Sequence, residues 1–288
     1  MHWVSTALDT NGGRALTIAD LIRQAAARLE PVTDTARLDA ELLMAHVLGV
    51  SRSDLLLRHM REEGPQDFAA LIDRRAAHEP VAYIIGEQEF YGRPFAVTPG
   101  VLIPRADSET TVQAALDSAR PDARVLDCGT GSGALLLTFL AERADARGVG
   151  IDASEAARHC AQTNTEALGL AERAQITAAD WSKPGWADAL GQFDLVISNP
   201  PYVEADAALN RQVRDWEPAE ALFAGAEGLD DYRLLIPQLR GLLKPGGVAV
   251  LEIGWQQAET VSALAKAEGF TAELRRDLAE RPRALILR

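Results

Sequence analysis

Apolar positions in the early part of the chain recur at helical spacing. Thr17, with Asp20 three residues on, has the form of a capping box, and Leu21, Ile22, Ala25 and Leu29 then share one face, which predicts a helix. The spacing predicts a second helix over Asp34 to Leu48, with Leu38, Leu42, Ala45 and Leu48 as its apolar stripe and Gly49 as its stop. Shorter helices fit Ser53 to His59 and Pro65 to His78, and the stripes are expected to pack on one another as a small bundle. Between Pro80 and Pro104 the period changes. Glu87 to Tyr91 and Arg93 to Thr98 are rich in strand formers and flank Gly92, which predicts a hairpin. Beyond it, apolar runs at Arg124 to Asp127, Gly148 to Asp152, Ala174 to Ala178, Phe193 to Ser198 and Gly247 to Ile253 alternate with amphipathic segments. Such alternation predicts an α/β domain: a mostly parallel, twisted sheet with helices on both faces. Glu204 to Gly228 is its least regular segment, as loops beside sites often are.

Composition narrows the class without naming a function. The 288 residues are 47% hydrophobic and 25% charged, as in an ordinary globular protein with a packed core. Cys128 and Cys160 stand outside any CxxC or Cys/His cluster, so free thiols and no metal are expected. Met1 to Arg14 lack the pattern of a leader, and no apolar run approaches the roughly 20 residues of a membrane span. A cytoplasmic protein with no membrane partner is the expectation. The 42 acidic against 29 basic side chains, net −13, oppose binding to duplex nucleic acid.

Four motifs carry chemistry, each at the end of a predicted strand. Asp127-Cys128-Gly129-Thr130-Gly131-Ser132-Gly133 follows one strand and opens a helix, where glycines let a ligand approach the backbone and free N–H groups favour an anion. The spacing is GxGxG and not the GxGxxG of dinucleotide enzymes; a plain strand-to-helix turn is the alternative. Asp152 ends the next strand, about 20 residues on, where an acid commonly takes ribose hydroxyls; capping the following helix is the alternative. Asp180-Trp181 follows the third and offers a polar and aromatic pair to hold and cover an adenine, or a loop Asp beside a half-buried Trp. Asn199-Pro200-Pro201-Tyr202 follows the fourth. Its two prolines remove N–H donors and leave carbonyls as acceptors, Asn199 adds a side-chain oxygen, and Tyr202 offers a surface for a planar NH₂ group. All four share the carboxyl edge of one sheet, where open α/β sheets bind ligands.

With these motifs in place, the chain resembles the release-factor glutamine methyltransferases, within the Rossmann-like class I methyltransferases. The resemblance runs through Glu79 to Gly86, Glu89 to Gly92, Ile103 to Glu109, the glycine motif, Asp180-Trp181, Asn199 to Tyr202, Arg214 with Glu217-Pro218, and Glu252-Ile253-Gly254. Ala82, Ala106 and Ser108 depart from the residues most frequent in the family, as does the missing glycine between Arg276-Asp277 and Arg283. The resemblance implies an S-adenosylmethionine-dependent enzyme that methylates the side-chain amide of the glutamine in the Gly-Gly-Gln motif of class-1 peptide chain release factors. It also implies three parts: a helical substrate-docking module over 1–85, a hairpin linker over 86–104 and the methyltransferase domain over 105–288. Gly129 to Gly133 are then expected to take the methionine end of the cofactor, with Asn199 touching it, Asp152 the ribose, and Asp180-Trp181 the adenine. Asn199, Pro200 and Tyr202 are the expected catalytic residues, and Pro201 completes the substrate site. Rival readings are a ribosomal-protein glutamine methyltransferase, an adenine methyltransferase acting on DNA, and a nucleotide-binding module without methyl transfer.

Overall fold

The computed structural model describes residues 16–288. They form two compact units. One holds the described residues up to Gly86 together with Asn210–Trp216; the other holds Glu87–Leu209 and Glu217–Arg288.

The first unit is helical. Its opening helix, Ile18–Leu29, begins with the expected capping box, in which Asp20 N–H donates to Thr17 Oγ1 at 3.2 Å and Thr17 N–H to Asp20 Oδ2 at 3.3 Å. Ile18, Ile22, Ala25 and Leu29 form its buried face. The second helix, Ala36–Leu48, is turned relative to the expected stripe: Leu38 is exposed, while Asp39, Ala40, Leu43 and Met44 face inward. The reason is polar. Arg75, 1% exposed, donates from Nε to Asp39 Oδ2 at 2.7 Å, so a carboxylate sits where periodicity would place a leucine. Arg75 also reaches the Glu79 carbonyl at 3.3 Å and Gln212 Oε1 at 3.0 Å, which ties the later segment Asn210–Trp216 to this unit. The short helix starting at Arg52 runs on into a wide helical turn, Leu55–His59. Phe68–Ala76 is shorter than expected at both ends, and a further helix, Val81–Ile85, was not predicted.

The second unit opens with the hairpin β1 (Glu87–Phe90) and β2 (Arg93–Ala96). Tyr91 and Gly92 both adopt positive φ, the mirror-image turn that matches strand twist. Seven further strands form one sheet: β3 (Arg124–Cys128), β4 (Arg147–Asp152), β5 (Ala174–Ala178), β6 (Phe193–Ser198), β7 (Leu243–Glu252), β8 (Ala272–Arg276) and β9 (Pro282–Leu287). Their order is β5-β4-β3-β6-β7-β9-β8; the first five are parallel, and β9 and β8 close the sheet as an antiparallel hairpin. Alternate residues enter opposite cores. Val125, Leu195, Ile197 and Val250 pack with the helices Glu109–Ser118 and Ala134–Glu142, whereas Leu126, Val196, Ala249 and Leu251 pack with Tyr232, Leu235 and Val261. Burial on both faces explains why these strands read as continuous apolar runs.

The strand order sets the site. From β3 the chain steps outward to β4 and β5, then returns to place β6 on the other side of β3, so direction reverses between β3 and β6. Crevices open at such a reversal, above the carboxyl ends of the strands.

Candidate active site

Register brings the motifs together. Cys128 of β3 pairs with Ser198 of β6 and Ile151 of β4, so the next residues out, Gly129, Asn199 and Asp152, stand side by side at the strand ends. Ser198 Oγ donates to the Cys128 carbonyl at 2.6 Å and pins the β3–β6 end.

The glycine motif turns tightly back over the sheet. Gly129, Gly131 and Gly133 all have positive φ, and a Cβ on Gly129 would come within 3.0 Å of the Trp181 ring. The N–H groups are less free than the sequence implies. Gly129 and Thr130 both donate to the Ile151 carbonyl at 2.9 Å, Gly131 donates to Asp152 Oδ2 at 2.9 Å, and Gly133 donates to the Thr130 carbonyl at 2.7 Å. Within this turn and the first two residues of the helix after it, the amides of Ser132, Ala134 and Leu135 have no hydrogen-bond acceptor among the described residues.

Asp152 combines both readings made of it. Its Oδ1 accepts from Ser154 N–H at 2.9 Å as a turn residue, while the helix itself is capped by Ser154 Oγ, which accepts from Ala157 N–H at 3.3 Å. Burial raises the Asp152 pKa against the pull of the Gly131 and Ser154 amides. Asp180 folds onto its own loop, accepting from Ser182 N–H at 2.9 Å and Ser182 Oγ at 2.6 Å. Trp181 is aimed by a residue that no sequence motif marks: its indole Nε1 donates to Asp231 Oδ1 at 3.1 Å.

These residues enclose one cleft of about 290 Å³, lined by Gly129, Gly131, Asp152, Asp180, Trp181 and Asn199, with Pro201, Pro218 and Glu220 also on its wall. A smaller cavity of about 50 Å³ adjoins it, reached past Ile103, Arg105, Ser108, Ser132 and Leu135. The two share Leu102, Gly129, Gly131 and Asn199, so Asn199 stands where they meet. A roomier hollow of about 360 Å³ opens at the opposite sheet edge among Asp122, Arg124, Asp145 and Arg147. It lies at the amino ends of the strands, away from every motif, where parallel sheets do not bind ligands.

Within the tetrapeptide the positions divide. Asn199 and Pro201 line the cleft, whereas Pro200 is buried and Tyr202 lies behind the wall with its ring against Gly254. Burial, and then the charge of Glu252, push the Tyr202 hydroxyl up to about 12. Gln257 Nε2 donates to the Tyr202 carbonyl at 3.0 Å, holding the turn from behind. Among the described residues, neither the Pro200 carbonyl nor Asn199 Oδ1 receives a hydrogen bond.

Two buried carboxyls flank the site. Asp127, fully buried, accepts from Thr130 Oγ1 at 2.7 Å on Oδ2, and its Oδ1 has no partner; burial raises its pKa to about 7. Glu252 ends β7 and is likewise pushed to about 7 by burial, against the nearby Ser108 hydroxyl, the charge of Arg283 and a hydrogen bond from Thr111 Oγ1 to its Oε2 at 3.2 Å. The sequence singled out both only as members of motifs, since nothing in a linear pattern reveals complete desolvation.

Comparison with known proteins follows the same layout. A model of the PrmC N-terminal domain matches residues 20–86, and one of the methyltransferase small domain matches 105–221. A crystal structure described as a methyltransferase from Pyrococcus furiosus shares the fold, with a TM-score of 0.53 over 77% of this chain and 98% of its own at 15% identity. Proteins named release factor glutamine methyltransferase are much nearer in sequence. That of Nitratidesulfovibrio vulgaris is 39% identical over 94% of this chain and 95% of its own, and that of Rhodospirillum rubrum 41% identical over 95% and 86%. The relative from Cereibacter sphaeroides is 42% identical over 88% of this chain and 91% of its own. Identity at this level, sustained through the helical unit and the sheet alike, shows that the chain belongs to the release factor glutamine methyltransferase family.

Proposed function

We propose that this protein transfers a methyl group from S-adenosylmethionine to the side-chain amide nitrogen of the glutamine in the Gly-Gly-Gln motif of class-1 peptide chain release factors, in the cytoplasm. The observation that carries the reading is the position of Asn199, at the junction of a cleft bearing the cofactor motifs and a small cavity beside it.

The cleft residues fit the cofactor. The close approach of Gly129 to Trp181 leaves backbone accessible where a side chain would block it. The unpartnered Oδ1 of Asp127 beneath the loop suits a neighbouring cation such as an amino acid's ammonium. Gly129 to Gly133 would hold the methionine end, Asp152 the ribose, and Asp180 with Trp181 the adenine. When bound, the cofactor supplies an electrophilic methyl group on a sulfonium centre.

The chain's own contribution is orientation. An amide nitrogen is a poor nucleophile because its lone pair is delocalised into the carbonyl. Asn199 Oδ1 and the Pro200 carbonyl accept its two hydrogens and hold the nitrogen at attacking distance. Both acceptors strengthen as positive charge grows on that nitrogen, so they favour the transition state over the ground state. No side-chain base is needed, because an N-protonated amide loses its proton readily to water. Tyr202 keeps the turn rigid from behind, and the helical unit docks the protein substrate.

The direct test is mass spectrometry of purified release factor after incubation with the protein and S-adenosylmethionine. One added methyl on the tripeptide glutamine is expected. Methylation of a ribosomal protein or of DNA instead, with release factor unmodified, would overturn the assignment.

A further inference from the structure

We propose that Asp231 is a positioning residue for the adenine end of the cofactor, fixing which way round the indole of Trp181 lies on the cleft wall. The inference rests on the reading of the cleft as an S-adenosylmethionine site with Trp181 at the adenine.

An indole has two unlike sides, one carrying the Nε1–H donor and the other the apolar six-membered ring. A half-turn about its Cβ–Cγ bond exchanges them. In this protein the six-membered ring lies toward the glycine motif: a Cβ on Gly129 would come within 3.0 Å of Trp181 Cη2 and 3.2 Å of Cζ3. The other side faces Asp231, where Nε1 donates to Oδ1 at 3.1 Å. The ring therefore reaches from the glycine motif to Asp231, and all three residues line the same cleft. An indole nitrogen donates and never accepts. Turned round, it would leave its acceptor, and an enclosed donor without a partner is costly. The position of the acceptor thus selects the orientation of the ring.

Asp231 is mounted firmly enough to do this. It lies in the helix Asp230–Leu235 beside Tyr232, which is fully buried and donates from Oη to the Glu252 carbonyl at 2.7 Å. Further along the same stretch, Gln238 Nε2 donates to the Trp181 carbonyl at 3.1 Å, and its Oε1 accepts from Trp186 Nε1 at 2.6 Å. One piece of chain grips Trp181 by its main chain and by its ring. A role confined to the helix does not account for Asp231. An acid in the first turn favours a helix, but exposed Asp230 already supplies one, with Arg233 at 3.3 Å. Asp231 is half-buried, and among the described residues it forms no ion pair and takes no other side-chain hydrogen bond. Burial raises its pKa, and the charges of Asp230 and Asp180 add to the rise against the pull of the indole. A carboxyl in that setting costs stability, and the group it satisfies is the Trp181 N–H.

The test is calorimetric binding to the full chain of S-adenosylhomocysteine and of 5′-methylthioadenosine, which keeps the adenosine and lacks the amino acid. Asp231→Ala is expected to weaken both ligands by the same factor, about 10-fold, the scale of one hydrogen bond to a charged group. Asp231→Asn keeps an acceptor oxygen and should bind both ligands nearly as wild type does. Trp181→Phe removes the N–H from the other partner, so adding Asp231→Ala to it should cost nothing more. Wild-type affinity in Asp231→Ala, an Asp231→Asn protein as weak as Asp231→Ala, a loss confined to S-adenosylhomocysteine, or a full further loss in the Trp181→Phe background would each overturn the proposal. Thermal unfolding checks that each variant is folded; should Asp231→Ala not be, Asp231→Leu, which keeps the bulk and has no acceptor, takes its place. A wild-type protein that binds neither ligand would remove the cofactor reading itself, and this inference with it.

Discussion

At the scale of single residues, the site separates groups that bind from groups that orient. Asn199 touches the cleft but sits apart from the residues assigned to ribose and adenine, so Asn199→Ala is expected to reduce turnover by at least about 100-fold. Calorimetric affinity for S-adenosylmethionine should be nearly unchanged; equal loss of both would make Asn199 a cofactor residue only. Asp127 behaves differently. Its carboxyl is held at about 7 by burial, above the ordinary 3.8, so the folded protein binds a proton that the unfolded chain releases. The sign follows: this group's contribution to stability falls as pH rises from about 4 to about 7, the window between its unfolded and folded values. Asp127→Asn should therefore flatten the thermal stability curve across that window relative to wild type. An unchanged slope would mean that Asp127 is ionised in the folded protein throughout. The sequence exposed Asn199 because an unusual tetrapeptide at a strand end has few structural uses, but it showed Asp127 and Glu252 only as motif members. Their altered acidity comes from complete enclosure by distant parts of the chain.

Secondary-structure elements were legible in proportion to how much of their pattern was apolar. The parallel strands β3 to β6 lie close to where the apolar runs placed them. The closing hairpin of β8 and β9 was not foreseen, in part because the outer strand β8 carries Glu273, Arg275 and Arg276, charges that suit a sheet edge and hide its alternation. The helix Ala36–Leu48 misled for a related reason, its inward face being set by Asp39 and Arg75. That pair makes a prediction at this scale. Arg75→Met leaves Asp39 buried without its charge partner and should cost about 3 to 5 kcal/mol, read from denaturant unfolding. Adding Asp39→Leu should recover most of the loss, since two apolar side chains tolerate the same space. A double variant as unstable as the single would show that the pair supplies more than mutual neutralisation.

At the scale of the molecule, the sequence places the change of period only within the stretch from Pro80 to Pro104, while the first compact unit of the structure includes residues up to Gly86 and then Asn210–Trp216. The return of Asn210–Trp216 to the helical unit was not visible in the sequence. Gln212 is tied by Arg75, a contact across more than a hundred residues of chain that leaves no periodic trace. The helical unit is proposed to dock the substrate, and a protein beginning at Glu87 is expected to bind S-adenosylmethionine yet fail to methylate intact release factor. Mass spectrometry of the release factor would check this, and full activity in a folded truncation would exclude a docking role.

The Asn210–Trp216 segment also bears on how such enzymes can be recombined. Because the chain enters the helical unit twice, that unit is no contiguous cassette. A chimera that exchanged only the residues up to Gly86 for those of a relative would juxtapose a foreign partner for Gln212 with the resident segment. Swaps of recognition specificity should therefore succeed when both stretches of chain come from the same parent.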